Sequence, residues 1–228
     1  LKDRGLWFVN GGGISPNNDA LPLILYISVI ALNGGEPESE VEKVFWGNGW
    51  GNGFRGDTFA FHHYHSTAHE VVGCSRGVAQ VQFGGPEGQV FECNAGDAAL
   101  IPAGVVHRRL DDAPGYNSVG AYPPGQTPDC CVLSEEDASI AHQDEGIGDL
   151  DVVSVGESEL AATLTRIANI PLPETDPITG AGGPVSTLWH ATDTGMRRID
   201  GACHCGNIRF IFELPEPEGA IPVRACGC

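Results

Sequence analysis

The chain has 228 residues, 30 acidic against 12 basic side chains and a formal net charge of −18. That balance repels phosphate, which argues against nucleic acid and anionic membrane surfaces as partners. With Gly 32 and Pro 16 set between short β-rich runs, the composition points to turns and strands, not to a helical bundle.

The first apolar run, ALPLILYISVIAL (20–32), is too short to cross a bilayer and carries Pro22 near its start. Acidic and glycine-rich sequence precedes it and no small-residue cleavage site follows, so it reads as a buried strand. Residues 37–46 read as a short helix with Val41, Val44 and Phe45 on one face and Gly47 at its end. From Thr58 to Tyr122 about seven short strands alternate with Gly- and Pro-containing turns, the pattern of a small barrel or jelly roll. GGPEG (84–88) joins two of them as a hairpin. Residues 133–160 are acidic and weakly patterned and are expected at the surface. A helix is expected at about 157–169, with Leu160, Leu164 and Ile167 as its apolar stripe and Pro171 stopping it. The proline- and glycine-rich stretch 171–184 would be a linker if taken alone.

Within the strand region, FHHYHSTAHEVVGCSRG (61–77) and GDAALIPAGVVHRRL (96–110) carry one set of ligand-type residues. His63 and His65 lie two apart, so on a strand they share a face. Glu70 follows, Gly77 supplies a turn, and Gly96, Pro102 and Gly104 lead into His107. Three imidazoles and a carboxylate suit a divalent Fe, Mn, Ni or Zn ion. The competing reading is four ordinary polar residues in half-buried strands. By strand parity Arg109 shares the face of His107 and Arg108 does not. Arg109 is thus a candidate substrate contact for a carboxylate or phosphate. Its alternative is a structural ion pair with an acid such as Asp111. The same parity puts Phe61 inside with the two histidines, turns His62 and Tyr64 away, and sets His69 opposite Glu70.

The pattern H-x-H-x4-E-x6-G followed by G-x5-P-x-G-x2-H resembles the two motifs of the cupin superfamily. Residue by residue, that resemblance carries its metal ligands onto His63, His65, Glu70 and His107. The chain departs from the family at Gly56, one place early for the glycine before the first ligand, and at Leu110 and Asp111, where an asparagine is frequent. More closely, PNNDALPLILY, FHHYHSTAHEVVG, FGGPEG, GAYPPGQ and PLPETDPITGAGGPVSTLW are similar to a bacterial single-domain cupin family of largely unassigned function. The resemblance covers about residues 16–190. It implies a cupin barrel (a jelly-roll-like double-stranded β-helix) over about 41–132, with a few peripheral helices and 171–184 wrapping the barrel.

Cysteine usage divides the chain. Cys74, Cys93, Cys130 and Cys131 are scattered and read as free thiols. Cys203, Cys205, Cys226 and Cys228 form two close pairs flanking a predicted strand at 207–214, a pattern that suits tetrahedral zinc, with disulfides as the alternative. GACHCGNIRFIFELP…VRACGC resembles the opening of the zinc domain shared by glutathione-dependent formaldehyde-activating enzymes and the centromere protein V family. The resemblance implies an incomplete zinc ligand set in a β-rich segment, and a carbon–sulfur lyase acting on glutathione or a related thiol adduct in a longer product. The expected division is a cupin domain at 16–190, a linker at 191–199 and the start of a zinc domain at 200–228. Starting at Leu1 and stopping within a cysteine pattern, the chain reads as a piece of a longer, cytoplasmic protein. Three functions compete: a metal-dependent cupin enzyme on a small organic molecule, anionic if Arg109 contacts it; a metal-stapled or ligand-sensing barrel without turnover; or an accessory barrel beside a zinc-domain lyase. A homodimer through the barrel is a further expectation.

Overall fold

The structure is a computed structural model that describes residues 4–9, 11, 13–111, 114–190, 196–202 and 209–215; in 4–8, 196–202 and 209–215 the description is of the backbone. Its strands are β1 (Arg4–Val9), β2 (Asn18–Tyr26), β3 (Gly51–Gly56), β4 (His63–Tyr64), β5 (Glu70–Arg76), β6 (Val78–Phe83) and β7 (Gln89–Asn94). They continue with β8 (Ala98–Ile101), β9 (His107–Arg109), β10 (Asn117–Tyr122), β11 (Cys130–Val132), β12 (Val152–Ser154), β13 (Met196–Ala202) and β14 (Arg209–Pro215). The α-helices are α1 (Pro37–Gly47), α2 (Glu135–Ala141) and α3 (Glu157–Ala168).

Two six-stranded sheets carry the fold, one in the order β1-β2-β8-β5-β10-β3 and the other β12-β11-β4-β9-β6-β7. Pairing is antiparallel except between β11 and β12. This mainly β architecture with few helices is cupin-like. The apolar run at 20–32 supplies β2, which ends at Tyr26. Its residues are apolar on both faces because both faces are covered. Leu23 and Leu25 join Val81, Phe83, Ala99 and Ile101 in one core cluster. Ile24 and Tyr26 join a second cluster with Val41 and Phe45 of α1 and with Trp50 and Trp189. The helix expected at 37–46 is α1, with Val41 and Phe45 fully buried and Val44 half-buried against the same cluster.

The 171–184 stretch wraps the first sheet, as the family resemblance implies. Asp176 is fully buried and accepts hydrogen bonds from Tyr26 Oη at 2.6 Å and from the backbone of Ile178 and Thr179. Trp50 Nε1 donates to the Thr175 carbonyl and Trp189 Nε1 to that of Pro22. These bonds fasten chain that composition alone would assign to a linker.

Two expectations need correction. Residues 133–160 are mostly exposed, as expected, but not weakly patterned: they contain α2, and β12 extends the second sheet. The signal was present in Ser134-x-x-Asp137, an N-cap in which Ser134 Oγ accepts from the Asp137 N–H. In α3 the buried side is Thr163 and Ile167, while Leu164 is 43% exposed. The face follows Leu160, Thr163 and Ile167, so a threonine replaces the expected leucine in the packing.

At the C-terminal end, β13 and β14 pair as an antiparallel ribbon from Met196↔Pro215 to Ala202↔Arg209. Strand β13 begins inside the stretch expected as a linker. Cys203, Cys205, Cys226 and Cys228 lie outside the described residues.

Candidate metal centre

The two sheets bring one cluster together at their mouth. From the second sheet, β4 and β9 place His63 directly opposite His107, with ring centroids 4.2 Å apart. His65 follows β4, its ring 5.8 Å from that of His63 and 6.1 Å from that of His107. From the first sheet, β5 begins with Glu70 and β10 ends with Tyr122. The turn at Gly104, which has φ +87 and where a Cβ would meet the Asn17 carbonyl oxygen at 2.5 Å, returns the chain for β9. All four sequence-predicted residues are buried, at 2–4% exposure.

Each histidine is oriented by a backbone carbonyl. His63 Nδ1 lies 3.1 Å from the Phe61 oxygen, His107 Nδ1 3.0 Å from the Val105 oxygen, and His65 Nδ1 faces the Asp129 oxygen. A carbonyl only accepts, so Nδ1 carries the proton and Nε2 is left facing the site. The Asp129 carboxylate is held by the Ser66 N–H at 2.6 Å, which steadies the carbonyl behind His65. Tyr122 Oη donates to Glu70 Oε1 at 3.1 Å. Glu70 Oε2 is buried and, among the described residues, has no hydrogen-bond partner. It stands 3.4 Å from His65 Nε2 and 3.3 Å from His107 Nε2.

No group of three or more His, Cys, Asp or Glu side chains among the described residues is already disposed as a cage for an ion. The pairwise distances around Glu70 are nevertheless short. Ligands about 2.1 Å from a metal at right angles sit roughly 3.0 Å apart, so these pairs are a few tenths of an ångström wider than a closed site. What the structure shows is a convergent cluster with an orphaned carboxylate oxygen.

The electrostatics of the cluster favour a cation. Burial depresses the pKa of His63, reinforced by His107 and His65. Burial is the largest influence on His65 and acts to depress it, but Glu70 and Asp129 together outweigh it and raise the pKa. Burial alone would raise Glu70, yet the two imidazoles hold it well below the usual carboxylate range. The pull that favours a proton on His65 Nε2 favours any cation placed among the same atoms.

The cluster forms the floor of a cavity of about 490 Å³ whose walls include Phe54, Phe59, Val72, Ile147 and Leu150. Arg109 is not on that wall. Its Nε donates to the Thr58 carbonyl at 3.2 Å and its Nη2 lies 3.7 Å from Asp57, while Nη1 is buried without a partner among the described residues. The expectation of Arg109 as a substrate contact is therefore corrected: Arg109 closes β9, paired with Val81, and its guanidinium is engaged by Thr58 and Asp57. No lysine or arginine lines the cavity among the described residues.

His69 is also explained. It is 1% exposed, its Nδ1 accepts the Ala103 N–H, and its ring packs 4.8 Å from Trp189. Burial lowers its pKa to about 3. Cys74, Cys93, Cys130 and Cys131 are free, and burial pushes each thiol up to about 12, which keeps them out of thiolate chemistry. Tyr122 and the cavity walls escaped the sequence reading because they reach the site only through sheet pairing across dozens of residues.

Among the described residues, no helix is long and apolar enough to cross a membrane. No protein-family model matches the chain. Among solved structures it is similar to the acireductone dioxygenase of Bacillus anthracis, solved with a cadmium ion in its active center, at 17% identity and TM-score 0.29 over 40% of this chain. It spans 62% of that protein's length. It is also similar to a dTDP-6-deoxy-D-glucose-3,5-epimerase, RmlC, of Legionella pneumophila, at 13% identity and TM-score 0.30 over 66% of this chain and 88% of the other. The uncharacterized protein YjlB of Bacillus subtilis is 31% identical over 188 residues, 82% of this chain and 98% of that protein. At that identity and coverage, the chain belongs to the family of the Bacillus subtilis protein YjlB.

Proposed function

We propose that this protein is a metal-dependent cupin acting on a small organic molecule, with His63, His65, Glu70 and His107 as the ligands of one divalent ion. The observation that carries the reading is an orphaned carboxylate oxygen of Glu70 with Nε2 of His65 and of His107 within 3.4 Å of it, and the tethered ring of His63 4.2 Å from that of His107. Such an oxygen is costly to bury unless a cation completes it. Four protein ligands would leave about two positions on a six-coordinate ion for substrate or O2, and the bound metal would supply Lewis-acid or redox chemistry.

The chain's own residues then have defined work. Tyr122 holds Glu70 Oε1, leaving Oε2 for the ion. Phe54, Phe59, Ile147 and Leu150 keep water from the bound molecule and favour an apolar body. With Arg109 engaged elsewhere, an anionic substrate group would have no cationic side chain to meet it in this cavity. The metal could be Fe, Mn, Ni or Zn.

A second reading, a metal-stapled or ligand-sensing barrel, shares the ligands and differs only in turnover. The finer reading of a carbon–sulfur lyase in a longer product rests on the motif around Cys203, Cys205, Cys226 and Cys228 alone, and their zinc would be distinct from the cupin ion.

Elemental analysis of purified protein tests the main reading. About one equivalent of a divalent transition metal is expected, with most of it lost in His65→Ala. Full stoichiometry in that variant would refute the ligand set. An O2-uptake and turnover screen of small neutral and acidic molecules on metal-loaded protein separates the enzyme from the staple.

A further inference from the structure

The strands that carry His63 and His107 inward carry His62 and Arg108 outward, and behind them lies a separate cleft of about 830 Å³. The cleft is bounded by α2, by residues 13–17 and by the turn after β6. Its back wall is a fixed polar array. Gln82 Nε2 donates to the carbonyls of Pro86 and Gly88, at 3.1 and 3.4 Å, which sets the amide's orientation. The amide oxygen, so placed, accepts from Arg108 Nε at 3.2 Å and faces His62 Nε2 at 3.3 Å. An amide oxygen only accepts, so that His62 nitrogen is the donor. The backbone N–H of His62 donates to Asp137 Oδ1 at 2.9 Å, and Asp137 accepts the Ser134 hydroxyl at 2.6 Å.

The array holds the imidazole of His62 and the Nε of Arg108 in place and leaves the outer edge of the guanidinium facing the cleft. Among the described residues, Arg108 Nη1 and Nη2 have no hydrogen bond and no carboxylate within ion-pair reach. Arg108 is also the one basic side chain lining the cleft among those residues. The two carboxylates that share the lining without a fixed partner there, Glu87 and Glu136, are exposed at the rim, where solvent and salt screen them. The cleft lining is mixed, and its apolar part is made by Phe83, Phe91 and Leu133 with Ile14 and Ile140, the last two 37% and 42% exposed. Large apolar side chains left open beside a preorganised, unpaired arginine fit a ligand with one anionic end and a hydrocarbon body.

The geometry points to a second ligand site in this cleft, for an organic carboxylate held by Arg108 Nη1 and Nη2 with its apolar chain along Phe91, Leu133 and Ile140. A planar carboxylate matches the guanidinium fork, and Gln82 holds the fork in place before binding. Recognition of an anion, expected of Arg109 from strand parity, is thus moved to its neighbour and to the opposite side of the sheet.

Calorimetric titration with sodium octanoate, 1-octanol and sodium acetate tests this. Octanoate should bind once per chain, with octanol and acetate each at least about tenfold weaker. Arg108→Gln should weaken octanoate by roughly ten- to a hundredfold and leave octanol unchanged. Glu136→Lys, at an exposed rim position, should tighten octanoate, and treatment with EDTA should leave its binding unaltered. Equal octanoate affinity in wild type and a folded Arg108→Gln variant would overturn the proposal. So would loss of octanoate binding on EDTA treatment, which would put the ligand at the metal centre, or absence of octanoate binding in both the wild type and Glu136→Lys.

Discussion

Replacing Tyr122 by phenylalanine removes one hydroxyl and little else, because Tyr122 is 3% exposed and the ring can remain in place. The hydroxyl donates to Glu70 Oε1 at 3.1 Å, and Glu70 is itself only 3% exposed, so no solvent stands ready to take over. A buried hydrogen bond to a charged group is worth about 1.5–3 kcal/mol. If that bond fixes Glu70 with Oε2 toward the ion, its loss should weaken metal affinity by roughly ten- to a hundredfold, the range found when partners behind metal ligands are removed. Competition against a chromogenic chelator, with Co(II) or Zn(II), measures this directly. Stoichiometry at saturating metal should stay unchanged, since all four ligands remain. Affinity within about twofold of wild type would refute the positioning argument. Tighter binding would refute it differently, by showing that the freed Oε1 turns to the metal and that Tyr122 restrains it.

Two further outcomes test the frame around the site. Glu38, at the start of α1, is clamped to Arg76 of β5 by bonds of 2.7 and 2.9 Å, and Arg76, with Ser75 assisting, lowers its carboxyl to about 2 against the burial that opposes it. A depressed carboxyl stabilises the fold above its unfolded value of 4.5, and the stability is lost as pH falls from there towards about 2. Discounted for the half-exposed guanidinium, Glu38→Gln should cost about 1–2 kcal/mol at pH 7 and less at pH 3 in urea unfolding. A difference that does not change with pH would contradict it. In α3, Ile167→Ala should cost about 2–4 kcal/mol because the side chain is buried, whereas Leu164→Ala should fall within about 0.5 kcal/mol. Equal costs in thermal unfolding would show that the helix packs on the stripe read from sequence and not on the face seen here.

The uneven legibility of this chain has physical causes. Period-two alternation survives in any strand, so His63, His65 and the direction of His107 could be read from spacing, and turn glycines such as Gly77, at φ +67, marked the ends of the runs. At Arg109 the alternation gave the strand position but not the use of the side chain: the residue closes β9, paired with Val81, and its guanidinium is taken by the Thr58 carbonyl and Asp57, neighbours that strand parity does not reveal. It also misled at Leu164, where apolar character stood in for burial and the deciding neighbour lay elsewhere in the sequence. Glu70 and Tyr122 meet through β5–β10 pairing, and Asp129 reaches His65 from 64 residues away, contacts that no local window contains.

Parity carries more than the ligand set. A strand that must present histidines to an interior presents its intervening residues to whatever covers the outside, and here α2 and the turn after β6 leave that outside partly open. His62 and Arg108 are therefore set back to back with His63 and His107, as their neighbours along the chain. An occupant on Arg108 and an ion on His107 would press on opposite faces of the same three-residue strand. Coupling between them follows only if occupancy on one side has a different free energy in each state of the other. Once Arg108→Gln has placed octanoate in the outer cleft, a partial shift of its affinity on EDTA treatment, short of the loss that would place it at the metal, measures that difference. Unchanged affinity means that the sheet, anchored by the His63–His107 pairing and by β6, is stiff enough to keep its two faces independent.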